Sequence, residues 1–269
     1  VTPAPAEEWT FPTAHVGRRV LVFDELDSTN TFAAALPADA PDGLVVVARN
    51  QTAGRGRFGR PWRSRPGAAL LTSVVLAPPP ELRRPVILTA WAAVAVAEAV
   101  RELAGVQARI KWPNDLFVRG KKVSGILIEQ GVVTGPGGQR FRTVAGVGLN
   151  LNQTSDEFAA LGLPDAASLG TISDRSVELR AATEAVVRSL DAEWARLLGG
   201  ERVAVEADWK WRVGFLGRDV VVERTDGSRP AGRLRDMTFD GVELERPDGS
   251  VEVIPPEAVE HVREAPPGD

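Results

Sequence analysis

The sequence predicts an α+β fold: a mixed sheet packed with helices, followed by a small all-β module. Three observations predict it. β-branched and apolar runs such as 44–48 alternate with segments of helical spacing such as 177–198. The middle of the chain, 109–151, reads as strand pieces joined by hairpins. Near residue 213 the texture changes to short strands separated by Asp-Gly turns.

The Pro- and Ala-rich residues 1–16 are expected to be poorly ordered. A strand follows over 20–23. Asp27, Ser28, Thr29 and Asn30 then offer capping side chains to a short helix over 31–36. The run 44–48 is a buried strand. Pro61 and Pro66 keep the loop 50–67 from being helical. Strand 69–76 ends at three consecutive prolines, 78–80. The segment 86–103 is alanine-rich and apolar around most of its circumference, which marks a buried central helix. Strand pieces 109–112 and 116–118 lead into 122–129, and the Gly-Pro-Gly-Gly run 135–138 turns the chain into 141–151. Helices are expected over 177–198 and 202–212. Short strands at 220–222, 232–234, 242–244 and 251–254 form the terminal module, so the division falls at 1–212 and 213–269.

With 269 residues, 43% of them hydrophobic, the chain can bury a full core. It has no cysteine, which excludes disulfides, thiolate catalysis and cysteine zinc sites. Its two histidines, His15 and His261, stand at opposite ends, which argues against a histidine triad or a multi-histidine metal site. No apolar run reaches the length of a membrane span and no signal-peptide pattern opens the chain. A cytoplasmic protein with no membrane partner is the expectation. The net charge of −4 points away from a nucleic-acid partner.

Against that acidic background, residues 54–62 (Gly-Arg-Gly-Arg-Phe-Gly-Arg-Pro-Trp) stand out. Arginine forks match carboxylates and phosphates, and glycines let backbone approach a ligand closely. The reading is a loop that closes over an anion. A solvated basic loop is the plain alternative, but Trp62 is costly to leave exposed, and Gln51 and Thr52 supply fixed polar groups at its base. Gly54-x-Gly56-x-x-Gly59 imitates a dinucleotide fingerprint, yet the prolines exclude the helix that fingerprint requires. No Walker A pattern occurs. Only four of the 32 cationic side chains are lysines, and Lys111, Lys121 and Lys122 cluster. A hairpin would project Lys111 and Lys122 toward one cleft, where ammonium groups neutralise a transferring phosphoryl group. Lys121 reads as solvated. Asn114 and Asp115 carry the hard oxygens that Mg²⁺ prefers. Ser28, Thr29 and Asn30 could bind a small polar group such as a ureido ring or simply cap a helix. Glycines 146 and 148 permit close approach, and Asn150 could read a base edge.

In their order, Ser28-Thr29-Asn30, the 51–62 segment, Lys111-Trp112-Pro113-Asn114-Asp115, Lys122-x-x-Gly125 and Gly146-x-Gly148-x-Asn150 resemble the biotin–protein ligase family over roughly 20–265. The resemblance implies a class II synthetase-like catalytic domain with a C-terminal SH3-like barrel. It also implies ATP-driven formation of biotinyl-5′-AMP and transfer of biotin to a lysine of a biotin carboxyl carrier domain, with Mg²⁺. By matched position, Ser28, Thr29, Asn30 and Gln51 would hold the biotin head group. Gly54, Arg55, Gly56, Arg57, Lys122 and Gly125 would complete the biotin site, with Arg55 and Arg57 on the carboxylate and phosphate. Arg57, Arg60, Trp62, Lys111, Asn114 and Asn150 would serve ATP. Lys122, Arg57 and Lys111 would be catalytic, and Asp115 would face the metal. A lipoate-type ligase on the same fold and an arginine–glycine RNA clamp are the alternatives. About twenty residues precede the first expected strand, too few for the DNA-binding domain of the family's repressors, so a monofunctional ligase is expected.

Overall fold

The structure, a computed structural model, describes residues 3–265. An eight-stranded sheet runs in the order β1-β2-β3-β4-β8-β7-β6-β5. Its strands are β1 (Glu7–Trp9), β2 (Val20–Leu26), β3 (Val45–Gln51), β4 (Ala69–Leu76), β5 (Arg109–Lys111), β6 (Asp115–Val118), β7 (Lys121–Gly135) and β8 (Gly138–Asn150). Only β2 and β3 pair in parallel, and the remaining pairs are antiparallel.

Both faces of the sheet are covered, which is why its central strands read as continuous apolar runs. All eight residues of β4 are buried. On one face lie α2 (Pro85–Ala104) and α5 (Leu179–Leu198), with Trp91 set 5.1 Å from Trp194. Proline at its first turn and Gly105 at φ 67° bound α2. On the other face α1 (Thr29–Ala34) covers a smaller cluster built on Phe23, Val46 and Val144.

The helix α6 (Arg202–Val213) leads into a second, antiparallel sheet, ordered β12-β11-β10-β9-β13. Its strands are β9 (Asp219–Arg224), β10 (Ala231–Met237), β11 (Val242–Glu245), β12 (Val251–Ile254) and β13 (Val259–Glu264). The Asp-Gly pairs at 226–227, 240–241 and 248–249 connect its first four strands, as read from the sequence. One apolar cluster runs through both sheets: Trp209 lies 5.3 Å from Trp112 and 5.5 Å from Phe239. Lys210 Nζ reaches Asp236 at 2.6 Å, and Arg84 reaches Glu257 at 2.8 Å.

Two expectations change. Residues 1–2 lie outside the described residues, but 3–16 are not loose: β1 pairs with β2, and Trp9, Phe11 and Val16 are buried. The anchors are apolar side chains that the surrounding prolines and alanines obscure. The loop after β3 also contains one 3-10 turn, Arg57–Gly59, with Phe58 at φ 56°. The helices α3 (Ser155–Ala160) and α4 (Leu169–Ser173) were not anticipated, nor were β1 and β13.

Candidate active site

A cavity of about 130 Å³ opens where the start of α1, the 51–62 loop, the glycine-bearing parts of β7 and β8, and β13 converge. Four cations, Arg55, Arg57, Arg60 and Lys122, line it against a single carboxylate, Asp115. Arg55 is paired with Glu129 and Lys122 with Asp115, so the surplus charge is that of Arg57 and Arg60, and it suits an anion.

One wall is a buried polar network. Ser28 caps α1 by accepting from the Thr31 N–H, and this places Thr29 and Asn30 in the first turn, both about 4% exposed. Gln51, at the end of β3, accepts the Thr29 N–H through Oε1 at 2.7 Å. From β4, Ser73 Oγ lies 2.6 Å from Asn30 Oδ1 and 2.8 Å from Thr29 Oγ1. Asn30 Nδ2 donates to Glu129 Oε2 at 2.8 Å, which fixes the amide so that Oδ1 faces Ser73. Asn30 Oδ1 can only accept, so the single Ser73 proton goes there. The single Thr29 hydroxyl proton then stands between two acceptors, Ser73 Oγ at 2.8 Å and Gln51 Oε1 at 3.0 Å, and only one of them can take it. With that proton turned to Ser73, Thr29 Oγ1 and Gln51 Oε1 each keep a lone pair beside the cavity, an arrangement suited to N–H donors.

The glycines of β7 and β8 make room for side chains. A Cβ on Gly146 would stand 2.3 Å from Asn30 Oδ1. On Gly148 it would meet Trp62 Cε2 and Cζ2 at 2.6 Å, and on Gly125 it would meet Trp62 Cζ3 at 3.0 Å. The indole therefore lies across the glycine floor, and its buried Nε1 has no partner. Gly54 is not in the cavity wall; its carbonyl accepts the Trp62 N–H at 2.9 Å and closes the loop. Gly56 N–H donates to the Arg60 carbonyl at 2.7 Å. Arg55 turns to Glu129 at 3.1 Å and to Thr31 Oγ1 at 3.1 Å. Burial lowers the pKa of Arg57, opposed by Asp115 and Glu260, so its charge sits in a partly dry setting.

Lys122 Nζ lies 2.7 Å from Asp115 Oδ2 and 5.9 Å from the Trp62 ring centre. The register of β6 on β7 sets Asp115 opposite Gly125, which leaves the space that the pair occupies. Asn114 lines the cavity but spends Nδ2 on the Ile126 carbonyl at 2.8 Å. Lys111 is not brought to the wall. Ile110 points into the core, so its neighbours on β5 point outward, and Lys111 Nζ lies 5.1 Å over Phe117. Asn150 is likewise outside the wall, where it donates to the Ala167 carbonyl at 3.0 Å and accepts from Gln153 at 3.1 Å. Among the described residues no group of three or more His, Asp or Glu could hold a metal ion.

Three residues escaped the sequence reading. Ser73 and Glu129 complete the polar wall but sit in unremarkable strand patterns. His261, from β13, lines the cavity, so the second sheet contributes to it. Burial lowers its pKa, helped by Arg263 and Arg57 and opposed by Glu223 and the Trp112 main chain. Its only sequence signal was the scarcity of histidine.

Residues 22–150 match the model of the Biotin/lipoate A/B protein ligase family. The biotin–[acetyl-CoA-carboxylase] ligase of Mycobacterium tuberculosis is 32% identical over 236 residues, covering 83% of this chain and 82% of that protein. The bifunctional ligase/repressor BirA of Bacillus spizizenii is 42% identical over 148 residues, and the match spans 54% of this chain but only 44% of that longer protein. The biotin protein ligase of Aquifex aeolicus, solved in complex with biotin and ATP, superposes with a TM-score of 0.73 at 23% identity, covering 91% of this chain and 99% of that one. At that identity the superposition speaks to the fold.

Proposed function

The chain belongs to the biotin–protein ligase family, and from that premise we propose that it joins biotin to a protein lysine in two ATP-dependent steps. In the first, a carboxylate oxygen of biotin attacks the α-phosphorus of ATP and pyrophosphate leaves, giving biotinyl-5′-AMP. In the second, the neutral amine of a lysine on a biotin carboxyl carrier domain attacks the acyl carbon, an amide forms and AMP leaves. The need for cellular ATP supports a cytoplasmic location.

The observation that carries this reading is the pairing of four cations around one carboxylate with a wall of buried acceptors. Bringing a carboxylate to a polyphosphate requires positive charge on both sides of the reacting atoms. Arg57 and Lys122 are assigned that role, with Arg60 on the phosphates. Gly56 allows the loop to approach, and Trp62 covers the ligand so that water does not consume the adenylate. Thr29 Oγ1 and Gln51 Oε1 would accept the ureido N–H groups. Lipoate's dithiolane has no N–H to offer, so the same wall favours biotin over lipoate.

Asp115 is the one carboxylate of the cavity, and together with Asn114 it is a hard oxygen donor set. That fits Mg²⁺ carried mainly by phosphates and water, which would offset phosphate charge when bound. Lys111 and Asn150, away from the wall, are assigned to ATP by matched position only. Calorimetry with biotin and lipoate separates the readings: biotin should bind and lipoate should not, and the reverse order would defeat the assignment.

A further inference from the structure

Glu129, on β7, does not line the cavity, yet it joins the two halves of the site. Its Oε1 accepts from Arg55 Nη1 at 3.1 Å, and its Oε2 accepts from Asn30 Nδ2 at 2.8 Å. From Asn30 the chain of bonds continues through Ser73 to Thr29, with steps of 2.6 and 2.8 Å. Thr29 passes it to Gln51 through its N–H at 2.7 Å. One carboxylate thus connects the arginine–glycine loop to the wall of acceptors.

Apart from the Trp62 indole, which rests on the glycine floor at the loop's end, residues 54–60 have little else to hold them. The loop's backbone bonds, Gly56 N–H to Arg60 and Trp62 N–H to Gly54, are internal. Among the described residues, the only side-chain hydrogen bonds or ion pairs that tie residues 54–60 to the rest of the chain come from Arg55, to Glu129 and Thr31. Asn30 is held as tightly from the other side. It is buried, its Nδ2 faces Glu129 and the Leu127 carbonyl, and Gly146 leaves no slack around Oδ1. If the carboxylate is lost, the loop and the amide lose a partner together.

We propose that Glu129 is a positioning residue that latches the 54–62 loop to the head-group wall, so that loop closure and head-group recognition share one carboxylate. The inference rests on the ligase reading for its catalytic consequence, while the latch itself is tested without any ligand. Glu129→Gln is isosteric: its amide oxygen still accepts from Asn30, but the charge that holds Arg55 is gone. Glu129→Ala loses both bonds.

The experiment is hydrogen exchange on the full chain, read at Gly56 and Trp62 and at residues 29–31. Glu129→Gln should speed exchange in the loop about three- to tenfold and leave 29–31 unchanged, whereas Glu129→Ala should speed both. Combining Glu129→Ala with Arg55→Ala should speed loop exchange no more than the faster single variant. With biotin, ATP and acceptor, Glu129→Gln should raise the pyrophosphate released per biotin transferred several-fold at an unchanged KM for biotin, and Glu129→Ala should also raise that KM. A purely structural role would lower the unfolding midpoint and leave this ratio alone. Wild-type loop exchange in both variants, or additive effects of Arg55 and Glu129, overturns the latch. If the wild type transfers no biotin while Glu129→Gln still loosens the loop, the ligase reading fails and the latch stands.

Discussion

The Lys122 ammonium lies 2.7 Å from the Asp115 carboxylate, inside a cavity whose other charged groups are all arginines. On the proposed reading, this pair holds the lysine where a substrate carboxylate would meet it. Removing the lysine should cost catalysis much more than stability. Lys122→Ala is expected to slow adenylate formation about 10²–10³-fold in single-turnover pyrophosphate release. Both members of the pair are partly exposed, so unfolding free energy should change by less than about 1 kcal/mol. A large loss of stability with intact adenylation would reverse that assignment.

Gly146 is expected to tolerate no side chain. A Cβ there would stand 2.3 Å from Asn30 Oδ1, and Asn30 is fixed by Ser73 and Glu129. Gly146→Ala should cost about 1–3 kcal/mol in urea unfolding, as overpacking does, and weaken biotin binding at least about tenfold, since each 1.4 kcal/mol is a factor of ten. Wild-type affinity would mean that Asn30 is free to move.

Ser73 is fully buried and serves Asn30 Oδ1 with its only proton. Ser73→Ala leaves that oxygen unsatisfied, at an expected cost of about 1–3 kcal/mol. Asn30 is then held from its Nδ2 side alone, so calorimetry should show weaker biotin binding as well. A variant as stable as the wild type would show that the proton is not shared as described.

Burial holds the pKa of His261 below the ordinary histidine value of 6.5. The unfolded chain therefore binds more protons than the folded one between the folded value and 6.5. Stability from this site is complete above 6.5 and is lost as pH falls toward the folded value. Urea midpoints at pH 7.5 and 5.5 should show a larger fall for the wild type than for His261→Asn. Equal falls in the two proteins would show that the imidazole is not held neutral.

Much of this was legible in the chain because local chemistry and tertiary environment agree. Ser28 caps α1 as its type suggests, β4 has the bounds its apolar run gives, and the Asp-Gly pairs turn the second sheet. The short helix α3 carries its own signal in the sequence, since Thr154 and Glu157 form a capping box. Ser73, Glu129 and His261 were not legible, because each matters through a partner more than forty positions away: Asn30, Arg55 and the cavity itself. Glycines 146 and 148 permit close approach, and the groups that approach them are the Asn30 and Trp62 side chains, which lie far off in sequence. Lys111 was grouped with Lys122 by closeness in sequence, and the alternation of β5 separates them.

The most direct test of the central claim is biotin transfer itself. The protein is incubated with biotin, Mg-ATP and a biotin carboxyl carrier domain, and acceptor mass and pyrophosphate are followed together. The expected result is an acceptor heavier by one biotinyl group at a lysine, with pyrophosphate release that requires biotin. Pyrophosphate release that ignores biotin, or an acceptor left unmodified, would contradict it.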